Sequence, residues 1–359
     1  MTKAPMKPQR LTSLEEDISG KCRIKNWMRK RDRALARISI EPIADESLGV
    51  RSMALYADIA GLKILFDASV SLGPERYGLP PHPEEFKALA KRREKILEKA
   101  RQAEIITVSH YHRDHYTPPY PSLFECTGGN EFLEIYSGKI LVAKHPSEKI
   151  NPSQKERARK FFNAIEGRTN EIHLVNDSLL SFGDTKIESF LAPHGENLGY
   201  VLCFIVYFQD KAELAFLPDV QGPYSNDVLE KITKIKPRII VVGGPPTYLS
   251  GSKVSKDAVD RGMRNLSRLY AQLSQESKII ISHHLLRDPE WREKLESYGI
   301  PGNSIKTYSD ILGLPYTGLE AYRNFLFENN PPPSNYREIL EALKKERARC
   351  DKLFDFLEK

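Results

Sequence analysis

The residue types best suited to chemistry in this chain are concentrated in one short segment. Three imidazoles and one carboxylate fall within six residues, as His110, His112, Asp114 and His115, directly after the apolar run at residues 104–109. Imidazole nitrogens bind zinc, iron, nickel and copper, and carboxylates bind or bridge harder ions. A hydrated polar loop has no need of histidine at this density. The H-x-H-x-D-H pattern therefore predicts a metal site.

Further residues of metal-ligand type follow three other short apolar runs. Runs of four to eight residues rich in Ile, Val, Leu and Phe, and bounded by Gly, Pro or Ser, are typical of buried strands. Open α/β sheets collect their sites at the carboxyl ends of strands, where the loops face a common crevice. The residues are His194 after 186–192, Asp219 after 213–217, and His283 with His284 after 277–282.

These residue types suit a hydrolytic site with two metal ions. Such a site needs neutral nitrogen ligands, a few carboxylates of which one bridges the ions, and an open position for water. Spacing alone does not say which ligand binds which ion. Zinc is the default for histidine-rich hydrolytic sites, and manganese or iron stay open because carboxylates also suit harder ions.

The order of these residues resembles the metallo-β-lactamase superfamily. The resemblance implies an α/β fold, a four-layer αββα sandwich with the metal site at the strand-end edge. It implies that Asp67, which ends the run at residues 62–66, supports the site without binding metal. It also implies a division of ligands in which Asp114 and Asp219 are the catalytic carboxylates. One ion takes His110, His112 and His194, the other takes Asp114, His115 and either His283 or His284, and Asp219 bridges them.

We favour His283 over His284 because it is the first residue past the strand; His284 would then meet substrate or orient a ligand. A closer resemblance links the chain to an uncharacterised, mainly archaeal branch of the superfamily. It covers residues 38–328 and rests on the segments at 72–81, 114–118, 151–154 and 283–288. This branch implies a fold and a metal chemistry but no substrate.

We therefore expect a dinuclear metal-dependent hydrolase that uses a metal-bridging hydroxide on an ester, lactone, thioester or phosphodiester substrate. Three alternatives stay open. One is a phosphodiesterase or nuclease that acts on nucleic acid, and another is a metal-binding scaffold without turnover. The third, a di-iron redox enzyme, fits less well because His112 stands where those relatives commonly have Glu.

Composition narrows the setting of the protein. The chain has 359 residues, of which 40% are hydrophobic, and no apolar run approaches the ~20 residues of a membrane helix. We expect no membrane association, and the N-terminus lacks the apolar core of a secretory signal. The four cysteines are scattered without a C-x-x-C pair, which predicts reduced, structural thiols and a cytoplasmic protein. The oligomeric state is not predicted.

The net charge of +6 belongs to the N-terminal segment. Residues 1–37 contain 11 Lys and Arg against 4 Asp and Glu, whereas the remainder has 43 against 44. This segment is either a nucleic-acid contact or a solvated extension. The expected organisation is a basic N-terminal extension at 1–37, a metallo-β-lactamase-fold domain at 38–330, and a C-terminal amphipathic helix at 331–359 packed on that domain.

Several local features complete the expectation. Helical spacing from Phe86 to Ala100 predicts a helix that leads into the metal motif. Ser153 with Glu156 predicts a capping box. The loop at 69–82 should lie near the site, and the loop at 116–129 either lines a substrate pocket or is stiff cover. The Gly243-Gly244 pair is either an anion contact or a tight turn. We expect the two remaining histidines considered, His145 and His173, to be ordinary surface or packing residues.

Overall fold

The structure of the protein is a computed structural model that describes residues 38–196 and 198–357. The basic segment at residues 1–37, with its predicted role, lies outside the described residues. Within the described part, the strands form two six-stranded sheets. No helix of the described part is both long enough and apolar enough to cross a lipid bilayer.

The first sheet is built from the N-terminal half of the described chain. Its first three strands are antiparallel, and the rest continue in parallel from the third strand. In spatial order they are β1 (Ile38–Pro42), β2 (Leu55–Ile59), β3 (Leu62–Phe66), β4 (Ile105–Val108), β5 (Ile140–Lys144) and β6 (Glu171–Val175).

The second sheet follows directly and starts from its outer edge. In chain order its strands are β7 (Ser178–Phe182), β8 (Thr185–Pro193), β9 (Tyr200–Phe208), β10 (Lys211–Leu217), β11 (Ile239–Gly243) and β12 (Lys278–Ser282), which is also their spatial order. β7 to β10 are antiparallel, whereas β10, β11 and β12 are parallel. β8, β10 and β12 therefore run in the same direction and end at the same edge.

Helices cover the outer face of each sheet. The helices of the described part are α1 (Pro83–Gln102), α2 (Asn130–Tyr136), α3 (Pro152–Ile165), α4 (Asn226–Ile235), α5 (Lys256–Leu273), α6 (Trp291–Ser297), α7 (Tyr308–Leu312), α8 (Arg323–Asn329), α9 (Tyr336–Lys345) and α10 (Lys352–Leu357). α1, α2, α3, α9 and α10 bury apolar residues in a core with the first sheet. α4, α5 and α6 do the same with the second sheet.

A third core lies between the two sheets. Phe66 of β3 contacts two rings of the opposite sheet, with centroid distances of 5.9 Å to Phe204 and 4.9 Å to Phe216. All three side chains are fully buried. The layer order is thus helix, sheet, sheet, helix, and the predicted αββα sandwich is confirmed.

The helix predicted before the metal motif is present as α1. Apolar residues at helical spacing, among them Phe86, Leu89 and Ile96, form the buried face of this helix. Pro83 occupies its first turn, and Glu85 accepts a hydrogen bond from the backbone N–H of His82 at 2.8 Å. Both features favour helix initiation at this point.

The capping prediction for α3 was wrong by two residues. The cap is Asn151, whose Oδ1 accepts a hydrogen bond from the backbone N–H of Gln154 at 2.9 Å. Pro152 then occupies the first helical position, where its missing N–H costs nothing. Ser153, the predicted cap, is already inside the helix.

The C-terminal region differs from the sequence expectation in two ways. The single amphipathic helix is divided into α9 and α10, and Arg347, between them, has a left-handed φ of 54°. Cys126 and Cys350 form a disulfide, so the prediction of reduced thiols was wrong for this pair. Cys203 is free and buried, as a structural thiol should be. The disulfide removes one of the two arguments for a cytoplasmic protein, which stays a prediction.

Candidate metal centre

The strand ends bring the predicted ligands to one edge of the sandwich. Asp67 follows β3, and the segment from His110 to His115 follows its parallel neighbour β4. In the second sheet, His194 follows β8 and Asp219 follows β10. The pair at 283–284 follows β12, which runs in the same direction as β8 and β10. The constellation therefore spans both sheets.

Asp219 lies at the centre of the cluster, and one of its oxygens faces four histidines. Asp219 Oδ2 is 3.2 Å from Nε2 of both His110 and His194. The same oxygen is 3.4 Å from His115 Nε2 and 4.0 Å from His112 Nδ1. Asp219 and three of the four histidines are buried, and only His112 is partly exposed. One carboxylate thus meets nitrogen donors from both sheets.

The second oxygen of Asp219 faces the histidines after β12. Asp219 Oδ1 is 2.9 Å from His283 Nε2 and 3.5 Å from His284 Nε2. His283 Nε2 also lies 3.5 Å from Asp114 Oδ2 and 3.4 Å from His115 Nε2. The structure therefore brings together all eight residues predicted from the sequence. They form overlapping groups of potential ligands with donor atoms within 4.8 Å of one another.

The donor atoms fit divalent metal ions. His110 Nε2, both ring nitrogens of His194 and Asp219 Oδ1 are buried without a hydrogen-bond partner among the described residues. A buried polar atom without a partner costs about 1–3 kcal/mol, so native proteins rarely leave several in one place. Imidazole nitrogens and carboxylate oxygens converging on one point are the donor set of such ions.

Metal binding requires neutral imidazoles and ionised carboxylates, and electrostatics favour that state for some members of the cluster. Burial, with the nearby His115, lowers the pKa of His110 well below its ordinary value. Burial and the neighbouring His194 lower the pKa of His112 to about 4. Burial alone would raise the pKa of Asp219, but the surrounding histidines, His283 first among them, hold it well below its usual range. Burial would lower the pKa of His115 and of His283, but the neighbouring Asp219 raises both above the ordinary value.

Asp67 orients His115. Asp67 Oδ2 lies 2.7 Å from His115 Nδ1, which turns Nε2 of that ring toward Asp219. Asp67 is itself held by Ser109, whose backbone N–H donates to Oδ1 at 2.8 Å and whose hydroxyl donates to Oδ2 at 2.5 Å. A carboxylate that accepts the second ring N–H fixes the tautomer and orientation of a metal-binding histidine. The contact agrees with the supporting role implied by the resemblance.

Glu46 plays the corresponding part for His283, Arg287 is the cationic partner of Glu46, and both were missed in the sequence. Glu46 Oε1 lies 3.1 Å from His283 Nδ1 and 2.7 Å from Arg287 Nη2. Arg287 Nη2 also lies 3.5 Å from Asp114 Oδ2. Arg287 follows His283 by one helical turn, which is the only hint of its role in the sequence. Nothing local distinguishes Glu46 from other acidic residues.

Gln154 is a third supporting residue that the sequence did not identify. It lies in the first turn of α3 and is buried. Its Nε2 is 3.3 Å from Nε2 of His112, and its Oε1 accepts a hydrogen bond from the backbone N–H of Tyr111 at 3.1 Å. The contact holds the ring of His112 with Nδ1 toward Asp219.

The backbone at the site is locally strained. Asp67, Asp219 and His283 have left-handed φ values of 45°, 49° and 67°. Such conformations cost about 1–3 kcal/mol each for residues other than glycine and cluster at functional sites. Gly243 at the end of β11 permits the close approach of the Asp219 backbone, because a Cβ there would lie 2.8 Å from the Asp219 nitrogen. Close packing thus explains the first glycine of the Gly243-Gly244 pair.

The structure also locates the loop at 69–82 and the two histidines that were expected to lie outside the site. The loop at 69–82 does border it, since Ser69 Oγ donates to the backbone oxygen of Arg113 at 2.6 Å, inside the metal motif. His145 and His173 lie elsewhere, beside Glu148 and Glu171.

Comparison with known proteins gives clear sequence relatives. The chain is 40% identical to a UPF0282 protein of Pyrococcus abyssi over 316 residues, which cover 85% of this chain and 99% of that one. It is 37% identical to a UPF0282 protein of Pyrobaculum islandicum, covering 82% of this chain and 96% of that one. The predicted resemblance to a mainly archaeal branch is confirmed by these relatives. No family model matches the sequence.

Solved structures with a similar arrangement are more distant. One is a metallo-β-lactamase fold protein of Bacillus subtilis, with 10% identity and a TM-score of 0.47, covering 75% of this chain and 95% of that one. Another is an isothiocyanate hydrolase from Delia radicum gut bacteria, with 17% identity and a TM-score of 0.45, covering 72% of this chain and 94% of that one.

Proposed function

The chain belongs to the UPF0282 family, and from the geometry of its metal centre we propose that it is a dinuclear metal-dependent hydrolase. The observation that carries the proposal is the position of Asp219. Its two oxygens face two groups of donors, with His110 and His194 near Oδ2 and His283 near Oδ1. A carboxylate placed between two donor groups is suited to bridge two ions.

The contacts support the same division of ligands as the superfamily pattern. His110, His112 and His194 would hold one ion, and Asp114, His115 and His283 the other, with Asp219 between them. His283 is the better ligand of the adjacent pair because its Nε2 approaches both Asp114 and His115. His284 lies beside Asp219 with a partly exposed side chain. We assign it to the substrate side of the site.

The residues of the chain would position the reaction while the ions supply its chemistry. Two bound divalent ions lower the pKa of a shared water toward neutrality and polarise the substrate oxygen. Asp67 and Glu46 hold one imidazole each in the tautomer that presents Nε2 to the site. Asp219 keeps the two donor groups together, and the burial of the cluster strengthens every electrostatic contact within it. Zinc is the default metal, and manganese and iron are the alternatives.

The proposal is tested first by elemental analysis of untagged protein purified without added metal or chelator. About two ions per chain are expected, and the metal found is then used in a screen of carboxylic esters, lactones, thioesters and phosphodiesters. Asp219→Ala should lose at least one ion and all hydrolysis while its circular dichroism is kept. Asp210→Ala, at an exposed surface ion pair, is the matched control. Near-zero metal, with none taken up on supply, would leave a scaffold without turnover.

Nucleic acid is the second substrate class that the sequence leaves open. Its support is the excess of Lys and Arg in residues 1–37. Lys and Arg that neutralise backbone phosphates release counterions, and binding of this kind therefore depends steeply on salt. Binding of a labelled RNA should weaken steeply with salt, and deletion of residues 1–37 should abolish that dependence. Equal binding by the full chain and the truncated chain would show that residues 1–37 are not the contact, and no binding by the full chain would exclude this class.

A further inference from the structure

We propose that Arg76 and Tyr248 form an anion-binding subsite beside the metal centre and that the substrate is a phosphate ester. The proposal rests on the hydrolase function above and narrows its substrate class. Among the esters, lactones, thioesters and phosphodiesters considered there, only the phosphodiester carries a negative charge at the reacting centre. A fixed cation next to that centre therefore selects it.

Arg76 has no carboxylate partner within the described residues, in contrast to Arg287 and Arg51. The guanidinium of Arg287 is paired with Glu46 at 2.7 Å, and that of Arg51 is paired with Glu320 at 2.5 Å. Arg76 donates instead to neutral acceptors, although it is only partly exposed and its Nε is buried without a hydrogen-bond partner in the described part of the chain. Among residues 38–196 and 198–357, no ion pair compensates its positive charge.

The position of Arg76 connects it to the metal centre through two contacts. Its guanidinium carbon lies 4.4 Å from the ring centroid of Tyr248, and the Tyr248 hydroxyl accepts a hydrogen bond from Arg287 Nη1 at 3.3 Å. The other terminal nitrogen of Arg287 faces Asp114 and His283. Arg76 Nη2 donates directly to the backbone oxygen of Arg287 at 3.1 Å. The Arg76 charge thus lies against the residue that borders the Asp114 side of the site.

The two tyrosines hold the guanidinium in one orientation. Arg76 is stacked between the Tyr248 ring and the Tyr77 ring, which lies 4.5 Å from the guanidinium carbon. Arg76 Nη2 donates to the Tyr77 hydroxyl and to the backbone oxygen of Arg287. Nη1 has no acceptor among the described residues, so its N–H groups can donate to a phosphate oxygen. Tyr248 carries a hydroxyl proton of its own, for which it has no acceptor among the described residues, and this proton is a second donor.

The loop that carries Arg76 is anchored from several sides, so the subsite is formed before any ligand binds. Tyr77 and Gly78 have left-handed φ values in a tight turn. The Tyr77 hydroxyl donates to the backbone oxygen of Ala321 at 3.0 Å, Arg323 donates to that of Leu79 at 2.9 Å, and Arg337 donates to that of Gly78. A preorganised donor loses less conformational entropy on binding than a mobile side chain.

The test is calorimetric titration of the full-length, metal-loaded protein with inorganic phosphate. Arg76→Gln should weaken phosphate binding at least about tenfold, as expected for loss of a charge-assisted hydrogen bond. Arg76→Lys should fall between Gln and the wild type, because it restores the charge without the stacked, planar fork. Arg337→Gln, which contacts the same loop from an exposed position, is the control and should bind like the wild type. All variants must retain the metal content of the wild type.

A second readout is hydrolysis of bis(4-nitrophenyl) phosphate, for which Arg76→Gln should raise KM more than it lowers kcat. Phosphate binding that is absent, or equal in the wild type and Arg76→Gln, overturns the subsite. If neutral lactones or thioesters are hydrolysed in that case, the hydrolase proposal stands without it. If phosphate binding depends on Arg76 but no substrate is hydrolysed, the subsite stands and the hydrolase proposal fails.

Discussion

Glu46 Oε1 lies 3.1 Å from His283 Nδ1, although the two residues are far apart in the sequence. Glu46 belongs to a short 3₁₀ helix after β1, whereas His283 follows β12 in the other sheet. A carboxylate at this distance favours a proton on Nδ1, which leaves Nε2 of the ring directed toward Asp219 at 2.9 Å. Asp67 and His115 show the same relationship of a carboxylate to an imidazole Nδ1 within the first sheet, whereas Glu46 and His283 show it between the two sheets.

Glu46→Gln should therefore weaken metal binding without removing a ligand. The amide keeps the size of the side chain but accepts a weaker hydrogen bond from His283, and changes in such supporting contacts typically cost 10–100-fold in metal affinity. The measurement is zinc retained per chain across a series of chelator-buffered zinc concentrations. Glu276→Gln, at an exposed ion pair with Lys236, controls for the loss of one surface carboxylate. Retention equal to that of the control would show that Glu46 does not orient His283.

The adjacent histidines at 283 and 284 should respond unequally to replacement. His283→Ala removes a nitrogen that lies near Asp114, His115 and Asp219, so we expect the loss of about one ion per chain. His284→Ala should keep both ions. The Nε2 atom of His284 lies 3.5 Å from Asp219, farther away than the Nε2 atom of His283. Metal content by mass spectrometry separates the two. Small and equal losses would place both residues outside the group of ligands.

The clustering of the candidate ligands was predictable from the sequence because the proposed chemistry demands residue types that are conspicuous in short segments. His110, His112, Asp114 and His115 are local in sequence, and the remaining proposed ligands follow apolar runs that become strands running in the same direction. The supporting residues were not predictable in this way. Glu46 and Gln154 contact the histidines only through tertiary packing, and no spacing in the chain marks them.

Adjacency also limited the sequence prediction. Whether the side chain of 283 or of 284 faces the proposed metal site depends on the direction of the backbone. His283 adopts a left-handed φ of 67°, and the residue types do not reveal this conformation. The Cys126–Cys350 pair spans 224 residues, so no motif announced it. The break between α9 and α10 falls where helical spacing of apolar residues continues, and spacing alone could not show it.

The disulfide should contribute measurably to stability. Cys126–Cys350 joins the segment after the metal motif to the C-terminal region, and it restricts the unfolded chain more than the folded one. The double variant Cys126→Ala/Cys350→Ala should lower the free energy of unfolding by about 2–4 kcal/mol, measured by denaturant titration. Reductant should destabilise the wild type and the Cys203→Ala control, but not the double variant. A double variant as stable as the oxidised wild type would contradict this prediction.

The buried carboxyl of Asp45 should make stability depend on pH. Burial, followed by the neighbouring Glu46, raises the pKa of Asp45 from 3.8 to about 7. Between these two pH values the folded state keeps a proton that the unfolded state has released. The contribution of this group to the free energy of unfolding is therefore complete below pH 3.8 and is lost as pH rises through about 7. Asp45→Asn keeps a neutral side chain beside Ser47 and Ser282, whose hydroxyls now donate to the carboxyl.

The difference in unfolding free energy between the wild type and Asp45→Asn should therefore fall as pH rises from 4 to 7, by up to about 1.4 kcal/mol per pH unit. Above pH 8 the difference should be constant, and the stability of Asp45→Asn relative to the wild type should be at its highest. Denaturant titrations of both proteins in the same zinc buffer across this range measure the slope. Asp210→Asn, at an exposed surface ion pair, is the control for the replacement of one carboxylate. A difference that is flat from pH 4 to 8 would mean that Asp45 is ionised in the folded protein, balanced by a charge such as that of Arg92 on the neighbouring helix α1.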